Sequence, residues 1–163
     1  MLVHSRLRGA GALAIATAVT AGSFAAAPSA SAASRQHRIG NGFDVTRNQK
    51  GDPYAYGADG PGRFDCSGLV YYATHKAGFK HVPRMSDDQA RHMNRIKKGQ
   101  LRKGDFVFFY DGGASAANVY HVGVFSGWHH GRRTVIHSPY SGERVKREPL
   151  WTTHWFAGTL RGL

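Results

Sequence analysis

An α+β fold, with helices packed on a small antiparallel sheet, is predicted for this chain of 163 residues. Two observations carry the prediction. Apolar residues recur at helical spacing in two segments before about residue 98. Beyond Gly104 the period drops to two, in short runs rich in Val, Ile, Phe and Tyr separated by glycine-containing turns. Helices followed by strands, with no repeat and no linker to a second domain, describe one α+β unit around one core.

The chain opens with Arg6 and Arg8, an apolar run from about Gly9 to Ala27, and the small-residue site Ala30-Ser31-Ala32. That layout predicts a secretory signal peptide over residues 1–32, removed to leave residues 33–163, a single-domain length. No later apolar run approaches the roughly 18 residues of a membrane span, so the expected mature protein is secreted and makes no membrane contact. Residues 33–50 read as a polar lead-in of little periodicity, either a disordered arm or a segment covering a groove. "YAYGADGPGRFD" is dense in Gly and Pro and reads as loop.

"CSGLVYYATHKAGF" reads as a helix. Leu69, Tyr72, Ala73 and Lys76 form a stripe with Val70 beside it, Asp65 is a fitting N-cap and Gly78 a fitting stop. "SDDQARHMNRIKK" predicts a second helix, with Ser86 and Gln89 in capping-box spacing, Asp87 and Asp88 at its positive end, and Gly99 as terminator. Strands follow at Gly104–Tyr110, His121–Gly127, Arg133–Tyr140 and in the tail "HWFAGTLRGL". "DGGASAANVY" is a longer small-residue loop, expected to be exposed.

The formal net charge of +12 favours a polyanionic neighbour. An anionic wall polymer suits an exported protein. Nucleic acid is not expected, because the basic residues are scattered over turns and helix faces without the aromatic stripe of single-strand binders. The bland alternative is solubility alone. A monomer is expected.

Cys66 is the only cysteine. In an oxidising compartment an unpaired cysteine points to a reactive thiol or an intermolecular bridge, against the alternative of a buried inert residue. The start of a helix favours thiolate, because free N–H groups and the helix dipole attract negative charge, and the same groups can cradle an oxyanion. Such a thiol works with a histidine. Of the ten histidines, His121 opens one strand and His137 closes another, which places them where they can meet a helix N-terminus; His121 is the expected base and His137 its orienting partner.

These residues sit in linked blocks. "DPYAYGADGPGRFDCSGLVYYATHKAGF", "VPRMSDDQARH", "LRKGDFVFFY", "HVGVFSG" and "VIHSPYSGERV" follow one another as in the NlpC-type peptidoglycan cysteine peptidases, which residues 51–163 resemble. The resemblance implies a papain-like fold, no cofactor, and a catalytic set carried over by motif as Cys66, His121 and His137. It also implies a tyrosine whose hydroxyl lies near the thiol, here Tyr54, with Tyr56 as the alternative. Asp65 and Ser67 either line the substrate groove or, for Asp65, cap the helix. Arg84 either meets a substrate carboxylate or fixes a turn. Two features depart from the family pattern and bear on groove shape: Ala58 stands where a second glycine follows the tyrosine block, and the loop before His121 is long and Gly/Ala-rich.

The activity so implied is that of a cell-wall-associated endopeptidase acting on peptidoglycan stem peptides at the D-glutamyl–diamino acid bond. Three alternatives stand beside it. One is an amidase of related fold that cuts between the sugar lactyl group and L-alanine, and another is a non-catalytic basic module that binds the wall. A zinc site from Cys66, His121, His137 and one of His129 or His130 lacks paired ligand spacing and is not expected, so no metal is assigned.

Overall fold

The structure is a computed structural model and describes Met1 and residues 29–163. The expected signal peptide therefore lies outside the described residues except at its two ends. Among the described residues three helices, α1 (Ala30–Asn48), α2 (Cys66–Lys76) and α3 (Ser86–His92), accompany six strands, β1 (Asn94–Ile96), β2 (Phe106–Tyr110), β3 (Val119–His129), β4 (Arg132–His137), β5 (Lys146–Pro149) and β6 (Trp155–Thr159). The strands form one sheet in the order β1-β6-β2-β3-β4-β5, and every neighbouring pair is antiparallel.

The α+β class holds, and three local expectations are corrected. Most of the lead-in is helical and not a disordered arm. Ser29 caps α1 by accepting from the Ala32 N–H, so the expected cleavage site falls in its first turn. The buried face is Ile39, Gly42 and Thr46, too small and too polar to register as an apolar stripe. Gly42 packs against α2, where a Cβ would be in ordinary contact with the Ala77 Cβ at 3.4 Å and the Ala73 carbonyl at 3.5 Å. The buried Thr46 hydroxyl donates to the Gly42 carbonyl at 2.9 Å, which satisfies it inside the helix.

The second helix stops at His92, well short of Gly99. Met93 turns extended (φ −85°, ψ 143°), and its buried side chain lies over Gly158, where a Cβ would crowd the Met93 Cβ at 3.3 Å. Asn94–Ile96 then pair with β6, Arg95 opposite Gly158 and Ile96 opposite Ala157. Sheet hydrogen bonds and burial of one methionine outweigh the helix propensity of "NRIKK". The capping box is not made either. No side chain caps α3, and Gln89 is fully buried, its Nε2 donating to the carbonyls of Ser67 at 2.9 Å and Pro83 at 2.8 Å.

Six strands stand where four were expected. Both additions are edge strands, and β5 reads Lys-Arg-Glu-Pro, a polar sequence with no alternation to reveal it. In contrast, "FVFFY" of β2 is apolar throughout because both of its faces are covered. Phe106 and Phe108 face the helices with Val70, Val122, Val124 and Phe156. Val107 and Phe109 face the other way with Phe125, Val135, Trp155 and Ala157, a layer on which Ile96, Leu101 and Leu150 pack. Each fully buried side chain of this size contributes about 1.5–3 kcal/mol. The α2 stripe is buried at Leu69, Val70 and Ala73, whereas Lys76 is exposed. Gly78 takes φ +88° just past the helix, as a stop requires.

Candidate active site

The nucleophile end is built locally. Asp65 is the N-cap of α2, extended at φ −90° and ψ −179°. Its Oδ1 accepts from the Gly68 N–H at 2.6 Å and from Arg84 Nη1 at 3.0 Å, and its Oδ2 accepts from the Gly57 N–H at 2.9 Å and Arg84 Nη2 at 2.7 Å. Burial opposes ionisation of Asp65, but the Arg84 guanidinium and the two N–H groups outweigh it and hold the carboxyl below its ordinary range. Arg84 also donates to the Ser67 hydroxyl at 2.9 Å and the Ala58 carbonyl at 3.2 Å. Of the two duties open to Arg84, the geometry shows the clamp: it ties loop 57–59 to the helix start. Gly68 is required there, since a Cβ would collide with the Ala58 carbonyl. Ala58 has no positive φ, so an alanine in place of the expected glycine is accommodated without strain.

Cys66 is half-buried, free, and the first residue of α2, and the backbone N–H groups of Val122, Ser67 and Cys66 itself favour its thiolate. The expected lowering of its pKa is overturned. Burial pushes the thiol up and the Asp65 carboxylate adds to this, and together they outweigh the three N–H groups that favour thiolate. Tyr54 belongs to the same cluster. Its phenol is pushed up first by burial and then by the charges of Cys66 and Asp65. Tyr56 is exposed.

The histidine end is built by the sheet. His121 on β3 and His137 at the end of β4 are both buried, and His121 Nε2 lies 2.7 Å from His137 Nδ1 with the rings perpendicular at 88°. His137 Nε2 is 2.9 Å from Glu148 Oε1 on β5, although its N–H is not aimed along that line and the contact is chiefly electrostatic. Trp151 stacks on His137 with ring centres 5.1 Å apart and meets His121 edge-on at 5.7 Å. Burial lowers the pKa of both imidazoles, and each is further disfavoured as a cation by a positive neighbour, His137 for His121 and Lys146 for His137. Glu148 and Asp65 pull His121 the other way without overcoming burial. Both rings rest neutral at pH 7.

Val122, the neighbour of His121, lies in the core cluster against which Cys66 packs, and so joins the two ends. Tyr54, Asp65, Cys66, Ser67 and Arg84 thus gather at the start of α2, and His121 with His137 on the adjacent strands. Sequence reading missed Gln89 as a strut, and missed Glu148 and Trp151 altogether. The only signal for Glu148 was a carboxylate in an otherwise basic run. His129 and His130 meet edge-on at the β3–β4 turn, ring centres 4.1 Å apart. Among the described residues no group of three or more His, Cys, Asp or Glu is arranged to hold a metal.

A cysteine at the N-terminus of a helix that packs on the strand bearing a buried histidine, with a second histidine hydrogen-bonded behind it and an antiparallel sheet beneath, fits the papain-like class. Residues 51–162 match the NlpC/P60 family, and the chain belongs to it. It is similar to the "Probable endopeptidase Cgl2188" of Corynebacterium glutamicum, 40% identical over 125 residues that make up 77% of this chain and 53% of that protein. The murein DD-endopeptidase MepH of Escherichia coli K12 is 36% identical over 110 residues, 66% of this chain and 38% of that protein. The chain thus spans about half the length of the first of these and less of the second. Among solved structures, the NlpC/p60 domain of the peptidoglycan hydrolase SagA aligns with a TM-score of 0.65 at 25% identity, covering 75% of this chain and 98% of that one. RipD of Mycobacterium tuberculosis, described as a non-catalytic NlpC/p60 protein adapted to peptidoglycan binding, shares the fold with a TM-score of 0.59 at 22% identity, over 76% of this chain and 97% of that one.

Proposed function

We propose that this chain is a secreted, cell-wall-associated cysteine endopeptidase that hydrolyses peptidoglycan stem peptides at the D-glutamyl–diamino acid bond. The observation that carries the reading is a single thiol at the first residue of α2, a helix packed against the strand that bears one of two buried, hydrogen-bonded histidines. A binding module has no use for that chemistry.

The raised thiol and lowered imidazole pKa values make the resting pair neutral, so proton transfer accompanies attack. His121 takes the Cys66 proton as sulfur adds to the amide carbonyl. The oxyanion forms against backbone N–H groups, with Tyr54 nearby. His121 then returns the proton to the leaving amine, and the C–N bond breaks to give a thioester and a free amino group. Water, deprotonated by His121, adds to the thioester, and the thiol leaves with its proton restored. His137 orients His121 throughout.

Arg95, Lys98 and Arg133 support retention on an anionic wall polymer. None of the three makes an ion pair among the described residues. Arg95 lies over Phe156 at 4.2 Å, Lys98 over Trp155 at 4.2 Å and Arg133 over Trp128 at 4.5 Å. Burial lowers the pKa of Lys98, and the positive charges of Arg133 and Arg95 add to it, an unmet demand for negative charge.

The test is mass spectrometry of the fragments released from purified peptidoglycan by the wild type and by Cys66→Ala. Fragments ending in D-glutamate from the wild type alone are expected. Intact stem peptides would make it an amidase, cleavage between D-residues would align it with the activity named for MepH, and no thiol-dependent product would leave wall binding alone.

A further inference from the structure

We propose that Glu148 is a positioning residue that fixes the tautomers of the histidine pair, so that the basic nitrogen of His121 is Nδ1. The inference deepens the hydrolase reading above and rests on it for its consequence, though not for its geometry. Three observations carry it.

The first is the linear order of polar atoms. His121 Nε2 and His137 Nδ1 are 2.7 Å apart, and His137 Nε2 and Glu148 Oε1 are 2.9 Å apart. A hydrogen bond between two neutral imidazoles needs one proton between the facing nitrogens, and either ring can supply it. The two arrangements differ at the far nitrogens. If His137 Nδ1 carries the proton, His121 Nε2 accepts and His121 Nδ1 is protonated, unable to take a proton from a thiol. If His121 Nε2 carries it, His121 Nδ1 is free to act as base.

The second observation decides between them. Glu148 Oε2 lies 3.2 Å from Lys146 Nζ, which also lies 3.1 Å from Glu143 Oε2. Lys146 gives the Glu148 carboxylate a cationic partner, and a carboxylate at neutral pH only accepts. Although Nε2 makes no well-aimed hydrogen bond to it, the negative oxygen 2.9 Å away favours the tautomer of neutral His137 that carries its hydrogen on Nε2, which leaves Nδ1 to accept from His121. Without the carboxylate this preference is removed.

The third is the cover. Trp151 lies against both imidazoles and stacks on Phe109 with ring centres 4.0 Å apart. With His137 2% exposed, the protein and not bulk water sets the proton positions. The groups that act on the pair from the surrounding elements are Glu148 and Lys146 of β5 and Asp65 at the start of α2.

The experiment reads ¹⁵N–¹H correlations of the imidazoles at pH 7.5 in the wild type, Glu148→Gln and Glu148→Ala, together with kcat and KM on a soluble muropeptide. Wild type and Glu148→Gln, which keeps an acceptor, are expected to show Nε2–H for both rings. Glu148→Ala is expected to show mixed tautomers and a kcat lower by about 10-fold, within the range for removing a group that orients a functional histidine, with KM within about twofold. Glu148→Gln should recover most of that kcat while the acid limb of its kcat/KM profile moves to lower pH, because the imidazolium loses an anionic neighbour. Wild-type tautomers in Glu148→Ala would overturn the proposal, as would an unmoved acid limb in Glu148→Gln should the alanine variant not fold. If wild type is inactive on every muropeptide, the hydrolase reading fails, and the tautomers still decide the role of Glu148.

Discussion

The two ends of the site are built on opposite principles. At the start of α2, Asp65 and Arg84 are a charged pair whose polar atoms are met by one another and by the N–H groups of Gly57 and Gly68. At the histidine end, burial keeps two imidazoles neutral, and the nearest full charges sit beyond them on β5. The first end fixes the position of the sulfur by strong, saturated hydrogen bonds. The second sets proton affinity by removing water. A nucleophile must be held in place and a base must be tuned, and charge serves the first purpose while desolvation serves the second.

Removing the functional atom at the charged end is the largest expected effect. Cys66→Ala should abolish stem-peptide hydrolysis, by at least about 10³-fold, with the melting temperature unchanged within a few degrees, as read by muropeptide release and circular dichroism. Retained hydrolysis would remove any functional reason for the comparison. Next, Asp65→Ala should destabilise the fold by about 3 kcal/mol in urea titration, since it deletes the cap and strands a partly buried guanidinium. A loss below about 1 kcal/mol would mean that water replaces the carboxylate freely and that this end is not saturated after all.

The desolvated end predicts acid sensitivity. Both histidines have folded pKa values below the unfolded value of about 6.5. Below that value the unfolded chain binds more protons than the folded one, so stability is present above about pH 6.5 and is lost as pH falls towards the depressed folded values. Melting temperature should decline over that window, and His137→Asn should flatten the decline. Equal slopes in both proteins would argue that the pair is not desolvated. The smallest effect concerns the cations outside both ends: Lys98→Ala with Arg133→Ala should lower retention on anionic wall preparations severalfold in low salt and leave it unaltered at about 1 M, where screening is complete. Release of soluble muropeptides should be unaffected.

How much was legible follows the same division. The α2 cap, its glycine stop and the thiol at its first turn could be read from Asp65 to Gly78 because the contacts that make them span a few residues. The β2 and β3 runs could be read because burial on two faces leaves an apolar signature. Residues 30–48 and 146–149 gave no such signature. A helix that docks through Gly42 and Thr46, and an edge strand of Lys, Arg, Glu and Pro, owe their structure to neighbours that the local sequence does not name.

The sequence by itself was enough to expect the α+β class and to single out one thiol before a helix and two strand-end histidines, since these are patterns of composition and period. Tertiary structure alone decided that the thiol is raised and not lowered, that Arg84 clamps Asp65, that Gln89 braces α2, and that Glu148 stands behind His137. Each of these depends on burial or on a partner dozens of residues away, and free energies of ionisation and hydrogen bonding are set by the surroundings in space and not by the neighbours in the chain.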